Sequence, residues 1–351
     1  MKAAFLTGIR EIETRDTPEP TLRGPKDVMV RIESVGVCGS DIHYYTEGRI
    51  GSQIVRFPEI IGHECSGILT AVGSSVRELR IGQRVAIDPL LACGECDQCL
   101  AGRQNTCRRQ RFLGCPGQAT GALAEYVVMP ARCCYPVPES MSAAQAALVE
   151  PFAVALHSVR LASLNPGAKI AVLGGGPIGL SVLLACRAAL KDVIWRVYVT
   201  DLIDERVQAA RQCGADWAGN PLHEDTKAAI EEREPLGLDV VFECAGKQET
   251  LDQGTELLKP GGALLIVGIP ELDRISFDPH LLRRHELEVK NVRRQNDCVR
   301  PAIEMISSDA VNVDRLVTHR FPLAEANRAF DLVASYGDGV IKAIIETTVD
   351  T

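Results

Sequence analysis

The first third of the chain alternates short apolar runs with turn residues, the period-two pattern of strands and hairpins. KAAFLTG at 2–8 is followed by a segment carrying Pro18 and Pro20, and then by VMVRIESVGV at 28–37. CSGILTAVG (65–73) and QRVAI (83–87) repeat the pattern with Gly82 at the turn between them. Together these strands predict a small closed or partly closed β-barrel. An Ala-rich segment from 141 to 164 then takes up helical spacing.

From Gly167 the pattern changes to alternating buried strands and helices. Lys169–Leu173 reads as a short buried strand, and an apolar helix runs on through Ala189. RVYVTD, LDVVFECAG and GGALLIVGIP repeat the strand pattern, with a helix from Gln248 between the last two. That is βαβ alternation, which predicts a doubly wound parallel sheet. From about Val289 no further βα repeat follows. The expected fold class is therefore α/β, with a β-barrel domain beside a Rossmann domain.

Composition narrows the partners. With 351 residues and 46% hydrophobic content the chain can bury two cores, and its formal net charge of −8 argues against nucleic acid. The dense basic pairs Arg108-Arg109, Arg283-Arg284 and Arg293-Arg294 read as solvated faces or local anion contacts. The N-terminal apolar run is short for a secretory signal, and the uncharged stretch near 170–186 is broken by Gly174, Gly175, Gly176 and Pro177. A soluble cytoplasmic protein without a membrane partner is expected.

The thirteen cysteines are an odd number without an export signal, so metal binding explains the clustered ones better than disulfides do. Cys93, Cys96, Cys99 and Cys107, in a lobe spanning 92–108, have the spacing of a closed tetrathiolate zinc site. Glu95 and Asp97 argue against the rival reading, a nucleic-acid-binding zinc ribbon. Cys65, Cys115, Cys133, Cys134, Cys186, Cys213, Cys244 and Cys298 lack ligand spacing and read as packing residues.

Two further constellations carry chemistry. Cys38, His63 and Glu64 offer sulfur, nitrogen and oxygen donors, a mixed set that suits zinc with one position left open; taken singly, each could equally be a packed core group. Gly174, Gly176 and Gly179 form a GxGxxG that follows a strand, opens a helix at Pro177 and Ile178, and has Asp201 about 20 residues on. This fingerprint favours NAD, because Asp201 can accept from both ribose hydroxyls; Arg206, one helical turn along, is the residue that could greet a 2′-phosphate instead. The strand-end loops at Cys244-Ala245 and Val267-Gly268 would face the same cofactor.

The run Gly62-His63-Glu64-Cys65-Ser66-Gly67 and its spacing to Gly73 and Val76 match the zinc signature of the medium-chain alcohol dehydrogenases. Cys38-Gly39-Ser40-Asp41-Ile42-His43-Tyr44, followed by Gly48-Arg49-Ile50-Gly51, resembles the polyol branch, typified by sorbitol, xylitol and arabinitol dehydrogenases. The resemblance implies a GroES-like catalytic domain at 1–154 and 290–351, a Rossmann domain at 155–289, and two zinc ions per subunit, one catalytic and one structural. It implies oxidation of a polyol to a ketose with NAD, Glu150 standing at or near the catalytic zinc, and a proton relay through Ser40 and His43. Ser40 could also cap a helix beginning at Asp41, and Glu150 could be a solvated helix-start carboxylate. Tyr44, Phe112, Glu150 and Arg294 would line the substrate pocket, with Gln295 standing where sorbitol-type enzymes carry Tyr. Relatives suggest a homotetramer. The same machinery acting on threonine or butanediol is the second reading, and a non-catalytic cofactor-binding protein the third.

Overall fold

The computed structural model describes residues 1–189 and 196–347; the expected domain ranges extend beyond these at 190–195 and 348–351. The chain forms two units. One holds Met1–Glu150, Val299–Asp309 and the chain from Val317 onward, and the other holds Pro151–Cys298 and Ala310–Leu316.

The GroES-like unit is built on the strand Asp27–Gly36. Val28, Val30 and Ile32 on one face are fully buried while Met29, Arg31 and Glu33 alternate outward, as the sequence pattern requires. One edge pairs antiparallel with Glu64–Val72. The other edge takes two partners end to end, Tyr126–Pro130 on its first half and Lys342–Glu346 on its second. Sharing one edge between two strands curls the seven-stranded sheet, which also includes Cys134–Pro136, Arg84–Ile87 and Val317–Pro322. Ile32, Ile61, Leu69, Leu123 and Phe330 fill the interior, each contributing about 1.5–3 kcal/mol by its burial.

Register then does the positioning. Gly36 stands opposite both Glu64 and Ile344, so the end of one strand, the start of the second and the middle of the third meet at one point. Cys38 follows at once and caps the helix Gly39–Glu47.

The Rossmann-type unit carries a six-stranded parallel sheet in the order Trp217–Gly219, Arg196–Thr200, Lys169–Leu173, Leu238–Glu243, Leu258–Ile266, Glu288–Asn291. Ile170, Ala171, Val172 and Leu173 are all fully buried, which is why this strand reads as a continuous apolar run. One expectation is corrected. The strand Glu288–Asn291 is the sixth of this sheet, with Val289 opposite Leu264, so the stretch from 290, assigned above to the catalytic domain, begins inside the sheet. Its two exposed-face charges, Glu288 and Lys290, and its four-residue length hide it from a search for buried βα repeats.

Candidate active site

Cys38 is the N-cap of the helix Gly39–Glu47, and its backbone N–H donates to Asp41 Oδ2 at 3.4 Å. The cap is thus Cys38 and not Ser40. The Ser40 hydroxyl instead donates to Cys38 Sγ at 3.3 Å. His43 follows three residues later on the same helix, half-buried.

His63 is buried, with Nδ1 3.4 Å from Asp41 Oδ1, an ion-pairing distance rather than a tight hydrogen bond. Burial alone would lower its pKa, but the Asp41 carboxylate and the Cys38 sulfur raise it well above the usual imidazole range. The sequence reading missed Asp41. Its signal was local: a carboxylate at the third position of a helix whose cap is a ligand candidate can anchor both the cap and the facing imidazole.

Glu64 is buried and hydrogen-bonded to an unexpected partner. Lys342 Nζ lies 2.9 Å from Oε1 and 2.7 Å from Oε2, and also donates to the Val37 carbonyl at 3.0 Å. Gly36 makes room for this pair, since a Cβ there would fall 2.2 Å from Glu64 Oε2. Glu150 is buried in the interior of the helix Ala143–Ala162, seven residues past its start, so it is not a solvated helix-start carboxylate. Burial pushes its carboxyl up to about 7, helped by Glu64 and Asp88 and opposed by His63 and Lys342.

Cys38, Asp41, Glu64 and Glu150 thus concentrate anionic groups around one buried imidazole, against the ammonium of Lys342. The cluster's sulfur, nitrogen and oxygen donors are of the types zinc takes, but among the described residues the ligand atoms that converge within 4.8 Å are those of the four clustered cysteines and not these. Phe112 packs on His63 with ring centroids 5.2 Å apart. The hydroxyl of Tyr44 meets Gln53 Oε1 at 3.2 Å and Cys115 Sγ at 3.5 Å, so Cys115, read above as packing, touches a pocket candidate.

The four clustered cysteines converge as their spacing requires. Their sulfurs lie within 4.8 Å of one another, with Cys93 to Cys99 and Cys96 to Cys107 both 3.9 Å. A tetrahedron with Zn–S bonds of about 2.3 Å has edges of about 3.8 Å, so the cage fits structural zinc. Arg108 and Arg109, flagged by composition, pair with Asp97 and Glu95 on its rim.

In the other unit the expected cofactor residues gather at the carboxyl ends of the parallel strands. Gly174 to Gly179, including Gly176, Pro177 and Ile178, join Lys169–Leu173 to the helix Pro177–Ala189. Asp201 follows Arg196–Thr200; its Oδ2 accepts from the Gly175 N–H at 2.7 Å and its Oδ1 from Ile203 N–H at 2.9 Å. Arg206 is buried with Nη1 3.9 Å from Asp201 Oδ2. Cys244 and Ala245 follow Leu238–Glu243, and Val267 and Gly268 follow Leu258–Ile266. Arg294 and Gln295 also lie in this unit. Gln295 is buried and its Oε1 accepts from Cys298 N–H at 2.9 Å, so it braces the turn into the helix Val299–Ser307.

A GroES-like barrel, a six-stranded Rossmann sheet and a tetrathiolate lobe together define a zinc-dependent medium-chain dehydrogenase, and the chain belongs to that family. The alcohol dehydrogenase GroES-like domain matches residues 24–139 and the zinc-binding dehydrogenase family matches residues 177–308. Among its relatives, the sorbitol dehydrogenase of Bacillus subtilis (strain 168) is 35% identical over 98% of this chain and 97% of its own. Two solved structures are similar across the whole chain. The 2R,3R-butanediol dehydrogenase of Bacillus subtilis has a TM-score of 0.87 at 30% identity, covering 99% of each chain. A zinc-binding dehydrogenase of Sinorhizobium meliloti 1021, bound to NADP, has a TM-score of 0.88 at 32% identity, covering 98% of each. Among the described residues no helix is long and apolar enough to cross a membrane.

Proposed function

We propose that this dehydrogenase oxidises a secondary hydroxyl of a polyol to the ketose, passing hydride to NAD. The observation that carries the reading is the electrostatic cluster of the half-buried Cys38 with the buried His63, Glu64 and Glu150. Zinc bound there would supply the Lewis acid that stabilises a coordinated alkoxide near neutral pH.

The chain's own residues have separable duties. Cys38 and His63 would hold the metal, and Asp41, 3.4 Å from His63 Nδ1, orients the ring. Glu64 gives both oxygens to Lys342 and keeps further lone pairs, so Glu64 and Glu150 are the two carboxylates that would be available to the metal. Ser40 and His43 carry the released proton outward. Tyr44 and Phe112 shape the substrate side in the GroES-like unit.

Asp201 favours NAD by accepting from the ribose hydroxyls and repelling a 2′-phosphate. Arg206 beside it, and the NADP found on the Sinorhizobium relative, support a second reading in which NADP is also accepted. The butanediol dehydrogenase relative, with Gln295 where the sorbitol-type pattern has Tyr, supports a simpler secondary alcohol as the alternative substrate. A homotetramer in the cytoplasm remains the proposed assembly and place.

Initial rates of NAD and NADP reduction by zinc-replete protein over sorbitol, xylitol, arabinitol, galactitol, ribitol, threonine and butanediol test this. Turnover dominated by one polyol supports the reading; turnover confined to threonine or butanediol removes the protein from polyol oxidation.

A further inference from the structure

Three strand-end loops of the Rossmann sheet spring from one level. Leu173 stands opposite both Thr200 and Glu243, and Glu243 stands opposite Ile266, so Thr200, Leu173, Glu243 and Ile266 form a continuous row of last residues. The loops beyond that row are stacked without room for side chains. A Cβ on Gly174 would lie 2.9 Å from the Ala245 nitrogen, one on Gly246 2.3 Å from the Ile269 carbonyl, and one on Gly268 2.6 Å from the Gly246 nitrogen.

Glu243 sits at the middle of the stack, fully buried. Its side-chain Oε1 accepts from three donors, the N–H groups of Ala245 at 2.8 Å and Gly246 at 2.7 Å and the hydroxyl of Thr250 at 2.7 Å. Its backbone carbonyl accepts from the N–H groups of the neighbouring loop, Val267 at 2.8 Å and Gly268 at 2.9 Å. One residue therefore fastens both loops, the first through its side chain and the second through its main chain. Its Oε2 has no hydrogen-bond partner among the described residues and faces Gly268, 3.0 Å from where a Cβ would stand. A solitary buried carboxyl is an expensive way to make a turn, because a neutral acceptor would avoid desolvating a charge.

We infer that Glu243 is a positioning residue for the nicotinamide cofactor: it holds the Cys244–Gly246 and Val267–Gly268 loops at the spacing at which their backbone groups receive the dinucleotide. The inference rests on the proposed cofactor role of these loops, because ligands of doubly wound sheets bind beyond the carboxyl ends of the strands. The effect of Glu243 reaches the cofactor through the loops.

The test is fluorescence titration of zinc-replete wild type, Glu243→Ala, Glu243→Gln and Thr250→Val with NADH, with melting temperatures and separate KM values for nucleotide and alcohol. Removing the acceptor of two backbone N–H groups should weaken NADH binding about tenfold or more in Glu243→Ala. The KM for nucleotide should rise in step while the KM for alcohol at saturating nucleotide holds. Glu243→Gln keeps the Oε1 acceptor and should bind within about threefold of wild type. Thr250→Val, which removes one anchor of the carboxyl and spares the fold if Glu243→Ala does not assemble, should shift NADH binding the same way by a smaller factor. Glu243→Ala or Thr250→Val with a lowered melting temperature and unchanged NADH affinity overturns the inference, and so does Glu243→Gln as weak as Glu243→Ala. A wild type that binds neither NADH nor NADPH overturns the cofactor reading itself and the inference with it.

Discussion

Lys342 and Glu64, separated by 278 positions in sequence, form a buried bidentate ion pair, with Nζ 2.9 and 2.7 Å from the two carboxylate oxygens. The pair ties the strand Lys342–Glu346 to the residue after His63. Burial would lower the Lys342 pKa, but Glu64 and the Cys38 sulfur together raise it above the usual amine range, so the ammonium stays charged. Removing it leaves a carboxylate buried without its counter-charge. Lys342→Met should therefore destabilise the protein by about 3–5 kcal/mol in urea unfolding. The double variant Lys342→Met with Glu64→Gln should recover part of that loss, and a single variant as stable as wild type would remove the pair from the stability of the barrel.

A second buried carboxylate sets a pH dependence. Glu234 takes Lys169 and Arg196 as ion-pair partners and the Tyr198 hydroxyl at 2.6 Å. Burial pushes its carboxyl up, but these donors outweigh burial and hold it below the usual range. A carboxylate depressed in the folded state contributes stability above its unfolded pKa, near 4.3, and loses it as pH falls through the depressed folded value. Wild type should thus lose stability between about pH 5 and pH 3 more steeply than Glu234→Gln. Parallel stability curves over that range would contradict the assignment.

The tetrathiolate lobe should matter to catalysis through packing. Cys99 and Cys107 share one apolar cluster with Leu90, Ala92, Phe112 and Cys115. Phe112 packs on His63 and Cys115 on Tyr44. Cys107→Ser is expected to lower the melting temperature and to raise the KM for alcohol by more than the KM for nucleotide. Equal effects on both would mean that the lobe supports only the fold.

Asp201 makes the cofactor preference measurable. Asp201→Ala should weaken NAD by about tenfold, the equivalent of one charged hydrogen bond, while leaving NADP unchanged or improved. The ratio of kcat/KM for the two nucleotides reads this directly. An unchanged ratio removes Asp201 from the ribose.

The sequence made legible whatever depends on local spacing. Cys93, Cys96, Cys99 and Cys107 announce their cage because three intervals fix it, and Gly174 to Gly179 announce a cofactor turn because strand, turn and helix are contiguous. Lys342 could not be found this way. It opens the run KAIIE, where an isolated Lys reads as a solvent-facing strand end, and only the barrel register brings it to Glu64. The strand Glu288–Asn291 escaped for a related reason, because an edge strand with two charges does not read as a buried repeat. Gln295 was legible as a departure from the sorbitol-type pattern, but its hydrogen bond to Cys298 N–H was not.

Zinc stoichiometry by plasma mass spectrometry on wild type and Cys38→Ala, with polyol-dependent NAD reduction on the same samples, tests the central claim most directly. Wild type is expected to hold two zinc ions per chain; Cys38→Ala should hold one, keep its fold and lose turnover. Two ions in Cys38→Ala with full turnover, or one ion in an active wild type, would contradict a catalytic zinc at Cys38 and His63.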